Sequence, residues 1–413
     1  MRSSTGRWVS GEDFFDREAD LGILKRLVQD RNHVLLTGQR RMGKTSVVQE
    51  LGRQLTNEEW IFLFSDVEGA TCPEDAVAEI ARAAHSVQPI ASRFAANLGR
   101  LFKGGVEEIS AFDFRIKIRA ELDTKNWRRH GEKLLRDCAS QKQPALLVLD
   151  ELPIFLKRML SRDNGAQQVE VFLSWFRGVL QDIDKDSLVL IVSGSVGLEP
   201  LVRRLGISDR INHFYPYRLK PWDRDTSIGC FELLAKIKGL SVEGGVAQAV
   251  YDALGLGIPH HVQSFFARLC DFTAMHTRDR ITVGDVDKVY RTELLGPSGQ
   301  SDLVHYESRL KEALEGESYT LAMQILAEAA TQGVFTPAAR QHLELKNAPI
   351  MEDAPKRIIE AVEVLEFDGY LEAGDEGHRF SSHLLKDWWA ARFRDHHTPL
   401  DSHAGGDESE EQV

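Results

Sequence analysis

No two of the four cysteines, Cys72, Cys138, Cys230 and Cys270, stand in C-x-x-C spacing, which removes the zinc knuckle and the dithiol redox motif. Scattered thiols suit a reducing compartment. No apolar run approaches the roughly 20 residues that cross a bilayer. The opening MRSSTGRWVSGEDFFDRE has no apolar centre of the secretory-leader kind. No N-K-x-D guanine-reading motif occurs. Excess positive charge is missing too: 51 Lys and Arg face 63 Asp and Glu, for a net charge of −12 and a pI near 5.7. That balance excludes a globally basic nucleic-acid binder and leaves room for a local basic patch. These absences together predict a soluble, cytoplasmic protein. The remainder is ordinary globular composition, 42% hydrophobic and 28% charged. At roughly 100–200 residues per domain, 413 residues predict two to four domains.

The first half alternates apolar runs with helical patterns. HVLLTG (33–38), WIFLFSDVEG (60–69), ALLVLDE (145–151) and SLVLIVSGS (187–195) read as buried strands. Leu21, Leu24, Leu27 and Val28 fall at helical spacing within 12–29, and helices are expected at 44–55, 74–103 and 167–182. VEEISAFDFRIKIRAEL (106–122) alternates apolar and polar residues and reads as a strand or hairpin. Strands alternating with helices imply a parallel sheet covered on both faces. From about residue 219 the pattern is helical to about 295, and GPSGQSD (296–302) reads as a linker. Three helices over 319–368, a short hairpin around GDEG (369–380) and a closing helix over 381–393 form the pattern of a winged helix. The acidic end, 396–413, is expected to be disordered.

GQRRMGKT (38–45) matches G-x-x-x-x-G-K-[ST] in full. Its glycines let successive N–H groups curl into an anion nest, and the helix that follows presents its positive end to phosphates. Lys44 is placed to reach the β- and γ-phosphates and Thr45 to ligand Mg²⁺. Gly38, Gln39, Arg40, Arg41, Met42, Gly43, Lys44, Thr45 and Ser46 are the candidate nucleotide contacts. Arg40 and Arg41 are placed either to touch phosphate or to face a partner subunit. A chance match is the competing reading, and the strand before the loop and helix after it argue against that.

Asp150 and Glu151 end a buried strand, where a carboxylate lies beside the phosphate loop of an open α/β sheet. Asp150 is the candidate to hold Mg²⁺ through water, and Glu151 the candidate general base for the attacking water. A purely helix-capping acidic pair is the alternative. Ser193, Gly194 and Ser195 end the fourth strand, and Ser195 is the candidate partner of the γ-phosphate or lytic water. Arg203, Arg204 and Arg210 follow. Arg210 is the candidate charge donor, against the common fate of surface arginines in solvent or ion pairs. GLGIPHHVQSFF (255–266) starts a helix where Pro259 is the candidate contact to nucleotide. His260 is left open, and His261 reads as packing. Adjacent histidines do not share a helix face, so a metal pair is not expected.

FFDREADLGILKRLVQDRNHVLLTGQRRMGKTSVVQEL resembles the start of the archaeal-type ATPase family in the STAND branch of AAA+-related P-loop proteins. ALLVLDELPIFL, LIVSGSVGLEPLV and GLGIPHHVQ match later blocks of that family in order, so the resemblance covers roughly residues 12–300. It implies an α/β fold, a P-loop NTPase parallel sheet (1–218), followed by an all-helical lid (219–300), a C-terminal winged-helix domain (301–395) and an acidic tail (396–413). It also implies ATP and Mg²⁺ as cofactors and an ATP-driven switch whose nucleotide state sets the angle between its parts. Beyond Arg268, no arginine sensor is defined in the 255–270 helix, which leaves completion of the site in cis or in trans open.

Three functions follow: an ATPase switch engaging a protein partner or another copy of itself, a DNA-binding ATPase resembling origin-recognition or transposition regulators, and a scaffold with negligible turnover. Residues 319–395 carry 8 Lys and Arg against 13 Asp and Glu, a net of −5. EDAPKRIIEAVEVLEFDGY (352–370) sets only Lys356 and Arg357 against six acids. Phosphate approach needs the opposite sign, so protein contact is favoured over DNA, and no membrane contact is expected. The few cations placed to reach a groove are Lys356, Arg357 and Arg379, with Arg93, Arg100 and Lys103 as a second candidate patch.

Overall fold

Four apolar runs become four strands: Val34–Thr37 (β1), Ala145–Asp150 (β3) and Leu188–Ser193 (β4), buried throughout, and Ile61–Asp66 (β2), where only Leu63 and Ser65 are buried and Asp66 is exposed. Tyr215–Arg218 (β5) is a fifth. All pair in parallel in the order β2-β3-β4-β1-β5. Strands buried on both faces read as continuous apolar stretches, and every residue of β3 and β4 is buried. The computed structural model describes residues 8–98, 109–184, 187–194, 197–314 and 316–400. Ser195, Arg100, Lys103 and the tail from 401 onward lie outside the described residues. The chain divides into two units: Trp8–Gly38 with Gly43–Leu219, and Gln39–Met42 with the residues from Lys220 onward.

In the sheet unit the helices are Glu18–Gln29 (α1), Lys44–Thr56 (α2), Pro73–Ala84 (α3), Gln88–Leu98 (α4), Ala111–Glu121 (α5), Trp127–Ala139 (α6), Leu152–Leu160 (α7), Gly165–Asp182 (α8) and Leu198–Arg204 (α9). The strand or hairpin expected over 106–122 is instead the helix α5 where the chain is described. Its alternation misleads because both sets are apolar. Phe114 and Ile118, four apart, are buried, while Phe112 and Ile116 stand on the opposite, exposed side. Ser110 caps the helix by accepting from the Asp113 amide. Arg115 and Arg119 then pair with Glu79 and Asp75 on α3.

Histidines mark one end of the sheet core. His33 Nδ1 accepts from the Leu190 amide at 3.1 Å, and its ring meets His213 edge-on at 6.0 Å. Burial pushes His213 down to about 4, with His33 and Arg177 adding to the effect. The unfolded chain, with its histidine near the usual 6.5, therefore takes up a proton first as pH falls. The stability linked to this group is complete above pH 6.5 and is lost progressively toward 4. The melting temperature should fall between pH 6.5 and 5, and the fall should shrink in His213→Phe. An unchanged fall would place the titrating group elsewhere.

The second unit holds Arg224–Lys238 (α10), Val246–Leu254 (α11), Pro259–Met275 (α12), Val283–Val289 (α13), Pro297–Ala313 (α14), Gly316–Gln332 (α15), Pro337–Asn347 (α16), Ala354–Phe367 (α17) and His383–Phe393 (α18). Ser241–Val242 (β6) and Arg280–Ile281 (β7) form a minimal parallel pair in the stretch expected to be all helical. Leu371–Gly374 (β8) and Gly377–Phe380 (β9) form an antiparallel hairpin. The expected linker at 296–302 is corrected: Gly296 caps α14 and Pro297 opens it, a position where proline's fixed φ and missing N–H cost nothing. Side-chain caps mark three further starts. Asp223 accepts from the Thr226 amide, Thr336 from Ala339 and Ser382 from Leu385. Among the described residues no helix is long and apolar enough to cross a membrane.

Candidate functional site

β1 ends at Thr37 and the backbone curls through residues 38–43 into α2, with Gly43 as the N-cap at φ 87°. That conformation is open to glycine at little cost. Lys44 is buried at 6% exposure, and its Nζ donates to the Gly38 carbonyl at 2.7 Å. One residue on, Thr45 Oγ1 donates to Asp150 Oδ2 at 2.7 Å. Ser193 Oγ donates to the other oxygen, Oδ1, at 2.5 Å. The start of α2 and the end of β4 thus bring two hydroxyls onto the buried carboxylate that ends β3, with Lys44 one residue before Thr45. Glu151 follows at φ 59° as the N-cap residue of α7, and its side chain makes no capping bond. The capping alternative raised for this residue therefore lacks the bond it requires.

The sequence reading overlooked an N-terminal strap. The Val9 amide donates to Ser46 Oγ at 3.1 Å, and the Gly11 amide to Glu50 at 2.8 Å. Glu50 is the anchor. The Arg53 guanidinium holds its carboxyl down to about 2; burial opposes this, and Gly11 and Gln54 assist. No motif marks residues 8–13, because the strap is recognised only through what it touches on α2.

Gln39–Met42 groups with the second unit, and three of its side chains bond there. Gln39 Nε2 donates to the Gly369 carbonyl at 2.8 Å. Gly369 lies at φ 77°, and a Cβ there would stand 2.8 Å from the Gln39 amide carbon. Arg40 Nη1 donates to the His305 carbonyl at 3.3 Å, and Arg41 Nη1 to His260 Nε2 at 2.5 Å. Neither of the two sequence-based alternatives for these arginines anticipated such partners. Pro259 opens α12 and is buried. His261 is buried beside Tyr306, whose hydroxyl lies 3.0 Å from His261 Nε2. Desolvation, with His260 and Arg41 adding, depresses its pKa. Arg210 lies in the turn Ser208–Ile211, where its guanidinium bonds Asp209 and Glu170. Arg203 and Arg204 end α9.

The donor set fits the groups that a P-loop implies. Thr45 and Asp150 are hard oxygen donors of the kind Mg²⁺ takes. A buried ammonium at the N-terminus of a helix that opens on a glycine nest suits anionic phosphate. Residues 26–201 match the family described as AAA domain. That span contains the phosphate loop, Asp150 and Glu151. Solved structures share the fold. A Walker-type ATPase of Pyrococcus abyssi is 18% identical, with a TM-score of 0.61 over 94% of this chain and 99% of that one. The ORC2 protein of Aeropyrum pernix, solved in ADPNP–ADP complexes, is 14% identical, with a TM-score of 0.52 over 96% and 98%. None of the curated proteins matches the chain. The fold is that of P-loop NTPases.

Proposed function

We propose that the chain is a Mg²⁺-dependent ATPase that works as a switch. The observation that carries this reading is the hydrogen-bonded series Thr45–Asp150–Ser193 beside the buried Lys44. In this reading the amides of residues 38–43 and Lys44 bind the phosphates, and Thr45 and Asp150 hold the metal. Glu151 accepts the proton of the attacking water, while Ser193 fixes the orientation of Asp150. The strap at Val9 and Gly11 walls the start of α2. Bound MgATP supplies the electrophilic phosphorus and the charge neutralisation. Roles for Ser195 and Pro259 in nucleotide contact, and for Arg210 as a charge donor, belong to the same proposal. Calorimetry with ATP and Mg²⁺ tests it: one site per chain is expected, and no heat of binding would overturn it.

The switch half of the proposal rests on Gln39. Its backbone lies within the phosphate loop, while its side chain bonds Gly369, at the start of the C-terminal hairpin. A change in the loop on phosphate binding would bear on that bond. We read the division as 1–218, 219–300 and 301–395, with α14 joining the last two. We read α15–α17 with the hairpin as a winged helix, since Phe335 pairs with His378 and widens the hairpin by one short bridge. Its partner is a protein or a second copy of the chain. Arg357 is tied to Glu317, which leaves Lys356 and Arg379 on a surface where Glu352 and Asp353 are exposed. A DNA gel shift should accordingly vanish as salt nears physiological strength. A site-specific complex surviving there, and lost on replacing Lys356, Arg357 and Arg379 together, would favour the DNA-regulator reading.

A further inference from the structure

β2 ends in a carboxylate that no motif singles out. Asp66 stands in register with Asp150 of β3, and the Val67 amide donates to the Asp150 carbonyl at 3.0 Å. Paired residues of adjacent parallel strands project to the same face, with backbones roughly 4.8 Å apart. Asp66 therefore projects from the face on which Asp150 meets Thr45. The Glu68 amide donates to Asp66 Oδ1 at 2.9 Å and fixes the carboxylate. Among the described residues no donor reaches Oδ2 and no cation pairs with the group. The residue is exposed at the open end of β2, while desolvation of its carboxyl, with the charges of Glu68, Glu151 and Glu79 adding, raises its pKa; Glu151 directly follows Asp150, its partner in register. An oriented carboxylate with one unused oxygen thus flanks Asp150 on the side away from Ser193, which lies on β4.

We propose that Asp66 is a second water-directing carboxylate, acting with Glu151 on one water. This rests on the ATPase reading above. In the hydrolysis, the water oxygen bonds to the γ-phosphorus as the bond from that phosphorus to the β–γ bridging oxygen breaks, and that oxygen leaves on ADP with the electron pair. Glu151 takes the water's proton. Asp66 Oδ2 accepts a hydrogen bond from the second O–H and so aims the oxygen lone pair. The two positions are unlike: Asp66 is held by a strand end and its own turn, Glu151 by the left-handed N-cap of α7.

Asp66→Asn tests the inference through binding as well as turnover. Affinity for ADPNP should stay within about twofold of wild type. Turnover should fall by about 10- to 100-fold, at the lower end of what a proton-directing group contributes. Affinity for ADP with aluminium fluoride, which mimics the attacked phosphoryl group, should fall in step, because the lost interaction is made only in the transition state. Asp66→Asn combined with Glu151→Gln should be no slower than Glu151→Gln alone, since both act on one water. Wild-type turnover and wild-type aluminium fluoride affinity in Asp66→Asn would overturn the assignment. So would an ADPNP affinity that falls as far as the turnover, which would make Asp66 a general binding residue. If wild type itself fails to bind ADPNP, the ATPase reading fails and takes this one with it.

Discussion

Lys44→Ala loses tight nucleotide binding. Lys44 is the buried cation of the phosphate loop, and in the structure its ammonium folds onto the Gly38 carbonyl within the loop. Phosphate oxygens would take over that ammonium as acceptors. Hydrogen bonds to charged partners are worth roughly twice neutral ones, and an alanine cannot replace any of them. The expected loss of ATP affinity is on the order of 100-fold, about 3 kcal/mol at roughly 1.4 kcal/mol per tenfold. The fold should survive, because α2 is held by Val47, Val48, Leu51 and Leu55 in the core. Calorimetry beside a thermal melt separates the two effects, and an unchanged ATP affinity would remove the loop from the account.

Glu151→Gln gives the opposite division: ATP binds as in wild type and hydrolysis stops. The amide keeps the shape and hydrogen-bonding length of the carboxylate but cannot take the water's proton. General-base catalysis contributes about 10²- to 10⁴-fold, so turnover should drop by that factor with KM little changed. The substitution spares the structure, since the Glu151 side chain does not cap α7. Wild-type turnover in Glu151→Gln would move the base elsewhere, and Asp66 would be the first candidate. The two substitutions together therefore separate holding the nucleotide from cleaving it.

β1, β3 and β4 and their order relative to the phosphate loop were legible because a strand buried on both faces must be apolar along its length, and the edge strand β2 because Ile61, Phe62, Leu63 and Phe64 keep an apolar run although only Leu63 of them is buried. Asp150 was legible because a polar residue at the end of such a run stands out, and Thr45 through the G-x-x-x-x-G-K-[ST] pattern. β5 was not, because it is an edge strand carrying Pro216, with exposed Tyr215 and Pro216 where the core strands have apolar residues. Edge positions are where a strand tolerates proline. The alternation in α5 and the glycines of 296–302 misled for one reason. A short-range pattern hid the helix: in the first case the alternation masked the burial of Phe114 and Ile118 at i, i+4, and in the second the glycines masked the proline that opens α14. Gln39 and Gly369 are 330 residues apart, and nothing in either neighbourhood announces the other. Asp66 was invisible for the same reason: its position becomes informative only when β2 is laid beside β3.

The central claim is that Lys44, Thr45, Asp150 and Glu151 form one Mg²⁺-dependent ATP-hydrolysing site. Its most direct test is phosphate release from ATP by the wild-type chain, measured with Mg²⁺ and again with EDTA, beside Asp150→Ala in Mg²⁺. The account predicts turnover in the first condition and essentially none in the other two, because removing either the metal or its carboxylate disables the same step. Equal turnover in EDTA, or full turnover in Asp150→Ala, would contradict it.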